Sequence, residues 1–179
     1  MKIGPEEFDR LSLEHMDMLF RLARRWTGDP MRAEDLVQET YLRALKARDE
    51  FKLEQYGIRP WLVRIMHNVH VTRSQREQRQ PMSVDDAHLD LTSQKQAPLT
   101  RDPVSFEGMD QRLVKAIEEL PSEYQTVLLL WAVDDFSYKE ISDALEVPVG
   151  TVMSRLHRAR SKLLERLGDF ARKEGIIRE

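Results

Sequence analysis

Apolar residues recur along this chain at three- and four-residue intervals, the spacing of amphipathic helices, while strand-type alternation is hard to find. From Phe8 to Thr27 the series Leu11, His15, Met18/Leu19, Leu22 and Trp26 predicts one helix. Gly28-Asp29-Pro30 breaks it, with Asp29 suited to cap a new helix and Pro30 to its first turn. The next series is Ala33, Leu36/Val37, Thr40/Tyr41 and Ala44/Leu45, which leaves Asp35, Gln38, Glu39, Arg43 and Lys46 largely outside. Residues Ala47 to Arg59 mix charge with Phe51, Tyr56 and Gly57 and read as a loop. Pro60 opens a third helix, striped by Trp61/Leu62, Ile65/Met66 and Val69, with Arg64, His67, Asn68 and Val71 on its far face.

Periodicity fails from about Gln80 to Gly108, where Pro81, Pro98 and Pro103 stand among Ser, Thr, Gln and Asp. A patternless stretch of about 28 residues is long for a loop inside a compact domain. The expected organisation is therefore a domain at 1–80, a linker at 81–108 and a second domain at 109–179. In that second domain Leu113, Ala116/Ile117 and Leu120 form a short helix stopped by Pro121, and Tyr124, Val127/Leu128 and Trp131 line another. Ser137-Tyr138-Lys139-Glu140 has the capping-box pattern and starts a third, with Ile141 and Leu145 inward. Glu146-Val147-Pro148 is a turn, and a fourth helix runs from about Val149 to Leu167. The fold class is all-α: two small helical domains joined by a flexible acidic linker.

Composition changes this picture in three ways. The chain has 179 residues, 41% hydrophobic, enough for one or two small cores. No apolar run approaches the roughly 18 residues of a membrane span, and the acidic N-terminus lacks the apolar segment of a signal peptide, so a cytoplasmic location is expected. Cysteine is absent, which excludes disulfides, thiolate zinc sites and a cysteine nucleophile. The net charge of −3 hides two basic blocks, Arg59–Arg79 and Val149–Lys173, separated by an acidic block between Gln80 and Asp110. Two surfaces facing polyanions, joined by a connector that avoids DNA, fit that distribution.

On a helical wheel Val152, Leu156, Ala159, Leu163 and Leu167 share an arc of roughly 80°. Thr151, Ser154, Arg155, Arg158 and Lys162 gather opposite, flanked by Met153 and His157. A capped helix, a short turn and a basic helix are the parts of a helix-turn-helix, whose second helix puts N-terminal residues on base edges and later cations on phosphates. The helix starting at Pro60 adds Phe51, Tyr56 and Trp61 to its cations, a mixture suited to unpaired bases. Trp61 also fits a core position, and Phe51 fits either a core plug or a base contact. His67 and His70 stand three apart, but no carboxylate or thiol falls one turn away on that face, so no metal is assigned. The acidic Asp35-Gln38-Glu39 face would repel DNA and suits a protein partner. No paired-carboxylate site, nucleophilic triad, glycine-rich phosphate loop or cofactor fingerprint is present, so neither enzyme activity nor a cofactor is expected.

These segments resemble a known family. Ala33-Glu34-Asp35-Leu36-Val37-Gln38-Glu39-Thr40-Tyr41-Leu42-Arg43-Ala44 is similar to the core-polymerase-binding helix of bacterial sigma-70-family factors. Arg59-Pro60-Trp61-Leu62-Val63-Arg64-Ile65-Met66-His67-Asn68 resembles the helix that meets the −10 promoter element. Pro148-Val149-Gly150-Thr151-Val152-Met153-Ser154-Arg155-Leu156-His157-Arg158-Ala159-Arg160 resembles the helix that reads the −35 element. Their order and the short chain match the extracytoplasmic-function (ECF) group, which keeps only the second and fourth sigma domains.

The resemblance implies a stress-responsive promoter-specificity factor that binds core RNA polymerase, at the clamp coiled coil of the largest subunit and at the flap. Asp35, Gln38, Glu39 and Arg43 would face the polymerase. Phe51, Arg64, His67, Asn68, Val71, Arg73 and Arg76 would serve the −10 region, with the 47–59 loop holding a flipped base. Thr151, Met153, Ser154, Arg155, His157, Arg158 and Lys162 would serve the −35 region, Arg155 and Lys162 on phosphates. An anti-sigma factor is the implied regulator. Met153 and His67 depart from the family's frequent Lys or Arg. A different reading of the same residues is a stand-alone helix-turn-helix regulator whose N-terminal helices dimerise or sense.

Overall fold

A computed structural model of the protein describes residues 3–53, 56–79 and 110–173. The expected linker, 81–108, lies outside the described residues. The chain divides into two compact units, Met1–Ser105 and Phe106–Glu179, and every regular element among the described residues is helical.

In unit 1 the expected single helix from Phe8 to Thr27 is two, α1 (Pro5–Leu13) and α2 (Met16–Thr27). The Ser12 carbonyl explains the break. It accepts the His15 N–H in a tight closure at 3.2 Å and the Tyr41 hydroxyl at 2.8 Å, so it does not carry the ladder onward. Apolar spacing passes through such a corner unchanged, which is why the pattern hid it. α2 ends on Gly28 at φ 67°, the left-handed position that glycine takes without strain. Asp29 then caps α3 (Pro30–Ala47), accepting the Arg32 N–H at 2.8 Å. A short 3-10 turn, Arg48–Glu50, precedes Phe51, and α4 spans Arg59–Arg79.

Helix α3 packs between α2 and α4. Leu19, Leu22 and Ala23 of α2, Ala33, Leu36 and Ala44 of α3 and Leu62, Met66 and Val69 of α4 are all buried in the core of unit 1. Phe8, Phe51 and Trp61 close one end, with ring centroids 4.8–5.8 Å apart. Leu45, expected inside with Ala44, is 43% exposed. It lies about 100° further round the helix, beyond the arc that α2 and α4 cover.

Unit 2 is built from α5 (Gln111–Glu118), α6 (Ser122–Ala132), α7 (Tyr138–Leu145) and α8 (Val149–Lys173), with α8 packed on the other three. Ser137 and Glu140 form the reciprocal capping box at the start of α7. Val127, Leu130, Phe136, Ile141, Ala144, Val152, Leu156 and Ala159 make the core. Trp131, expected to line α6 inward, is instead 37% exposed. Residues 127–130 are buried all round α6, so periodicity did not fix a facing for the residue after them.

Candidate nucleic-acid and protein interfaces

On α3 the outward side carries more than the acidic face expected. Asp35 and Gln38 are exposed, and Arg43 donates from Nε to the Glu39 carboxylate at 2.7 Å. That bond holds the Glu39 carboxyl below its ordinary range. Met31 (76% exposed), Leu42 (55%) and Leu45 stand on the same outward ridge. Their places, 31-35-38-42-45, follow the four-three alternation of a helix-on-helix seam. Apolar spacing places Leu45 inward with Ala44 and gives Leu42 no facing; the wheel angle of Leu42, opposite Ala33 and Ala44, is the signal that it points out. Leu13 and Met16, exposed at the α1–α2 corner, add apolar surface to the unit.

The α4 residues separate into two sets. Asn68, Val71 and Arg76 are exposed, and Arg64 and His67 are half-buried. Phe51 is in the core, corrected from a base contact to the plug between Phe8 and Trp61. Arg73 is half-buried, its Nη2 donating to the Asp35 carbonyl at 3.3 Å at the surface. The cause is register, since Arg73 follows Met66 by seven residues and shares its α3-facing side. There it lines a cleft with Trp26, Arg32, His70, Ser74 and Glu77, crossed by the Arg32–Glu77 ion pair.

His67 and His70 bracket the Trp26 indole, one edge-on at 5.7 Å and one stacked at 5.6 Å. Burial lowers the His70 pKa, helped by His67, Arg32 and Arg73 and opposed by Glu77. Burial and Arg59 lower that of His15 too. A histidine with a depressed folded-state pKa stabilises the fold above its unfolded value of about 6.5, and that stability is lost as pH falls through the folded value. Unit 1 should therefore weaken on acidification from about pH 7 to pH 5. Thermal melts of His70→Phe should show a shallower loss than the wild type, with the His15 share remaining; an unchanged slope would exclude His70 as a source.

In unit 2 the turn before α8 is fixed internally. Glu146 takes the left-handed conformation, and the Ser142 hydroxyl donates to the Val147 carbonyl at 2.6 Å. This presents α8 with Met153, Ser154, His157, Arg158 and Lys162 exposed and Thr151 half-buried. A Cβ on Gly150 would meet nothing within 4 Å. Internal packing does not demand that glycine, and a bare backbone there permits close approach from outside. Two cations are steered by α6: Arg155 pairs with Glu123 at 3.4 Å and is only 26% exposed, and Arg158 donates to the Tyr124 hydroxyl at 3.4 Å. The sequence reading named neither partner, because both contacts span more than 30 residues.

Residues 11–80 match the family Sigma-70 region 2, and residues 110–163 match Sigma-70, region 4. The ECF RNA polymerase sigma factor SigW of Bacillus subtilis is 32% identical over 164 residues, covering 87% of this chain and 86% of that protein. The chain belongs to the ECF sigma factors. The RNA polymerase sigma-H factor of Pseudomonas aeruginosa is 29% identical over 87% of the chain and 83% of its own length. Among solved structures, the sigma factor RpoE of Bartonella quintana, in complex with the anti-sigma factor NepR, is similar in fold. It superposes with a TM-score of 0.71 at 24% identity, over 91% of this chain and 98% of that one. As a sigma factor the protein is a non-catalytic regulator of RNA polymerase. No helix among the described residues is long and apolar enough to cross a membrane.

Proposed function

We propose that this ECF sigma factor docks on core RNA polymerase through the outward ridge of α3 and reads promoter DNA with α4 and α8, without bond chemistry of its own. Asp35, Gln38, Leu42 and Leu45 make the polymerase face, with Glu39 and Arg43 paired at its edge. Arg64, His67, Asn68, Val71 and Arg76 meet the −10 element and its melted strand. Met153, Ser154, His157 and Arg158 read −35 base edges, and Thr151 and Lys162 hold the backbone. The observation that carries this reading is α8: an exposed polar and cationic face, held by a capped helix and a closed turn, in the segment that matches region 4.

Each DNA surface is small, so the two act together once the polymerase fixes their spacing and makes the second contact effectively intramolecular. Capture of extruded bases offsets a few kcal/mol of unstacking and assists strand opening. An anti-sigma factor that covers the exposed leucines of α3 would hold the protein inactive; the RpoE relative was crystallised with such a partner. Run-off transcription with purified core polymerase on a promoter library tests the reading. Initiation from a defined subset of promoters, absent with core alone, is the expected result. Promoter binding by the free chain with no gain from polymerase would favour a stand-alone regulator.

A further inference from the structure

We infer that Trp131 and Arg160 form a backbone-phosphate grip beside the −35 reading surface, in which the indole of α6 aims the guanidinium of α8 at promoter DNA. The inference rests on the proposed reading of α8. Arg160 lies over the Trp131 ring, 4.3 Å from its centroid, and both residues are exposed. The other arginines of α8 with described contacts are engaged differently. Arg155 and Arg166 pair with the carboxylates of Glu123 and Glu119, and Arg158 meets the Tyr124 hydroxyl. Among the described residues Arg160 pairs with no carboxylate. Its charge is oriented without being neutralised.

An indole face suits this task. It attracts a guanidinium through the ring quadrupole and leaves the in-plane N–H edges open, the geometry in which arginine takes a phosphate with two bonds. Trp131 also removes rotamer freedom that a lone surface arginine would lose on binding. Position on the helix completes the argument. Met153, His157, Arg160 and Leu164 follow each other at four, three and four residues and share an arc of about 60°. Arg160 therefore stands on the flank that carries Met153 and His157, three residues or about 4.5 Å beyond His157 and roughly 10 Å along the axis beyond Met153. That is about three base steps along a strand, a reach at which a recognition helix leaves base edges and meets backbone.

The test uses holoenzyme reconstituted from core polymerase and the full chain, on a promoter that the wild-type holoenzyme selects from a randomised duplex library. Binding is measured across a KCl series. Arg160→Gln should weaken binding about tenfold at low salt, equally for −35 variants, and reduce the slope of log K against log salt by about 0.9. Trp131→Ala should lose a similar factor but nothing more in the Arg160→Gln background, while Trp131→Phe keeps most of the affinity and the full slope. Thermal melts accompany each variant; if Trp131→Ala unfolds, Trp131→Phe and Arg160→Gln carry the comparison. An unchanged salt slope in Arg160→Gln, or fully additive losses, overturns the grip. So does a loss confined to association with core polymerase, which would make the patch a protein contact. Failure of the wild type to select any promoter would sink the proposed promoter reading itself, and this inference with it.

Discussion

Replacing Leu42 and Leu45 together by Asp is expected to lower affinity for core RNA polymerase by about 100-fold or more while unit 1 stays folded. Both side chains already face solvent on the free chain, so the change empties no cavity. The folding cost is small: helix propensity, about half a kcal/mol for each Asp, the partial cover of Leu45, and a negative charge in the last turn of α3. The binding cost is far larger. An interface gathers most of its energy from a few well-packed anchors, each worth about 2 kcal/mol or more on truncation. Leu42 and Leu45, with Met31, are the apolar members of a ridge whose other exposed residues, Asp35 and Gln38, are polar. A buried Asp in place of either would also meet an unpaired-charge penalty. Fluorescence titration with core polymerase gives the affinity, and circular dichroism melts give the fold. Wild-type affinity in the double variant would remove this ridge from the docking face. Arg43→Ala is the contrast: Arg43 is tied to Glu39 at the surface, where such pairs contribute about 0–1 kcal/mol, so its loss should be small.

What the sequence revealed here, and what it withheld, follows from the range of the interactions involved. The capping box at Ser137, the Asp29 cap and the Gly28 stop are local, set within four residues, and could be read directly. So could most of the buried series of α3 and α8, with Leu45 the exception, because one-sided helices state their own facing. The corner between α1 and α2 depends on Tyr41 reaching back 29 residues to a carbonyl, which no local pattern encodes. Phe51 was open between plug and base contact until Phe8 and Trp61 closed around it. Arg73 reaches back 38 residues to the Asp35 carbonyl, a contact that no local pattern encodes. Trp131 follows a stretch of α6 that is apolar on every side, and there periodicity carries no direction. The chemistry of the surfaces was therefore legible as residue types at given spacings; which of those residues are free to act was decided by tertiary contacts.

Ile141→Ala is expected to unfold unit 2 far enough to abolish promoter binding while capture by core polymerase through α3 persists. Ile141 is fully buried on α7, within the cluster that supports α8. Deleting its side chain should cost about 2–5 kcal/mol, the transfer term plus a cavity that the surrounding helices can only partly collapse. A helical body of this size seldom has more than about 3–5 kcal/mol to lose. The substitution therefore consumes most or all of its stability, and α8 loses the scaffold that presents Ser154, His157 and Arg158. Unit 1 has its own core from α2, α3 and α4, so its docking ridge should survive. Hydrogen exchange separates the two: amides of α7 and α8 should lose protection while those of α3 keep it. Ile141→Val, at about 0.5–1.5 kcal/mol, should retain promoter binding with a lower melting temperature. Loss of polymerase capture along with promoter binding would show that the two units do not fold independently, and an unshifted melt would show that Ile141 is not the keystone of α7.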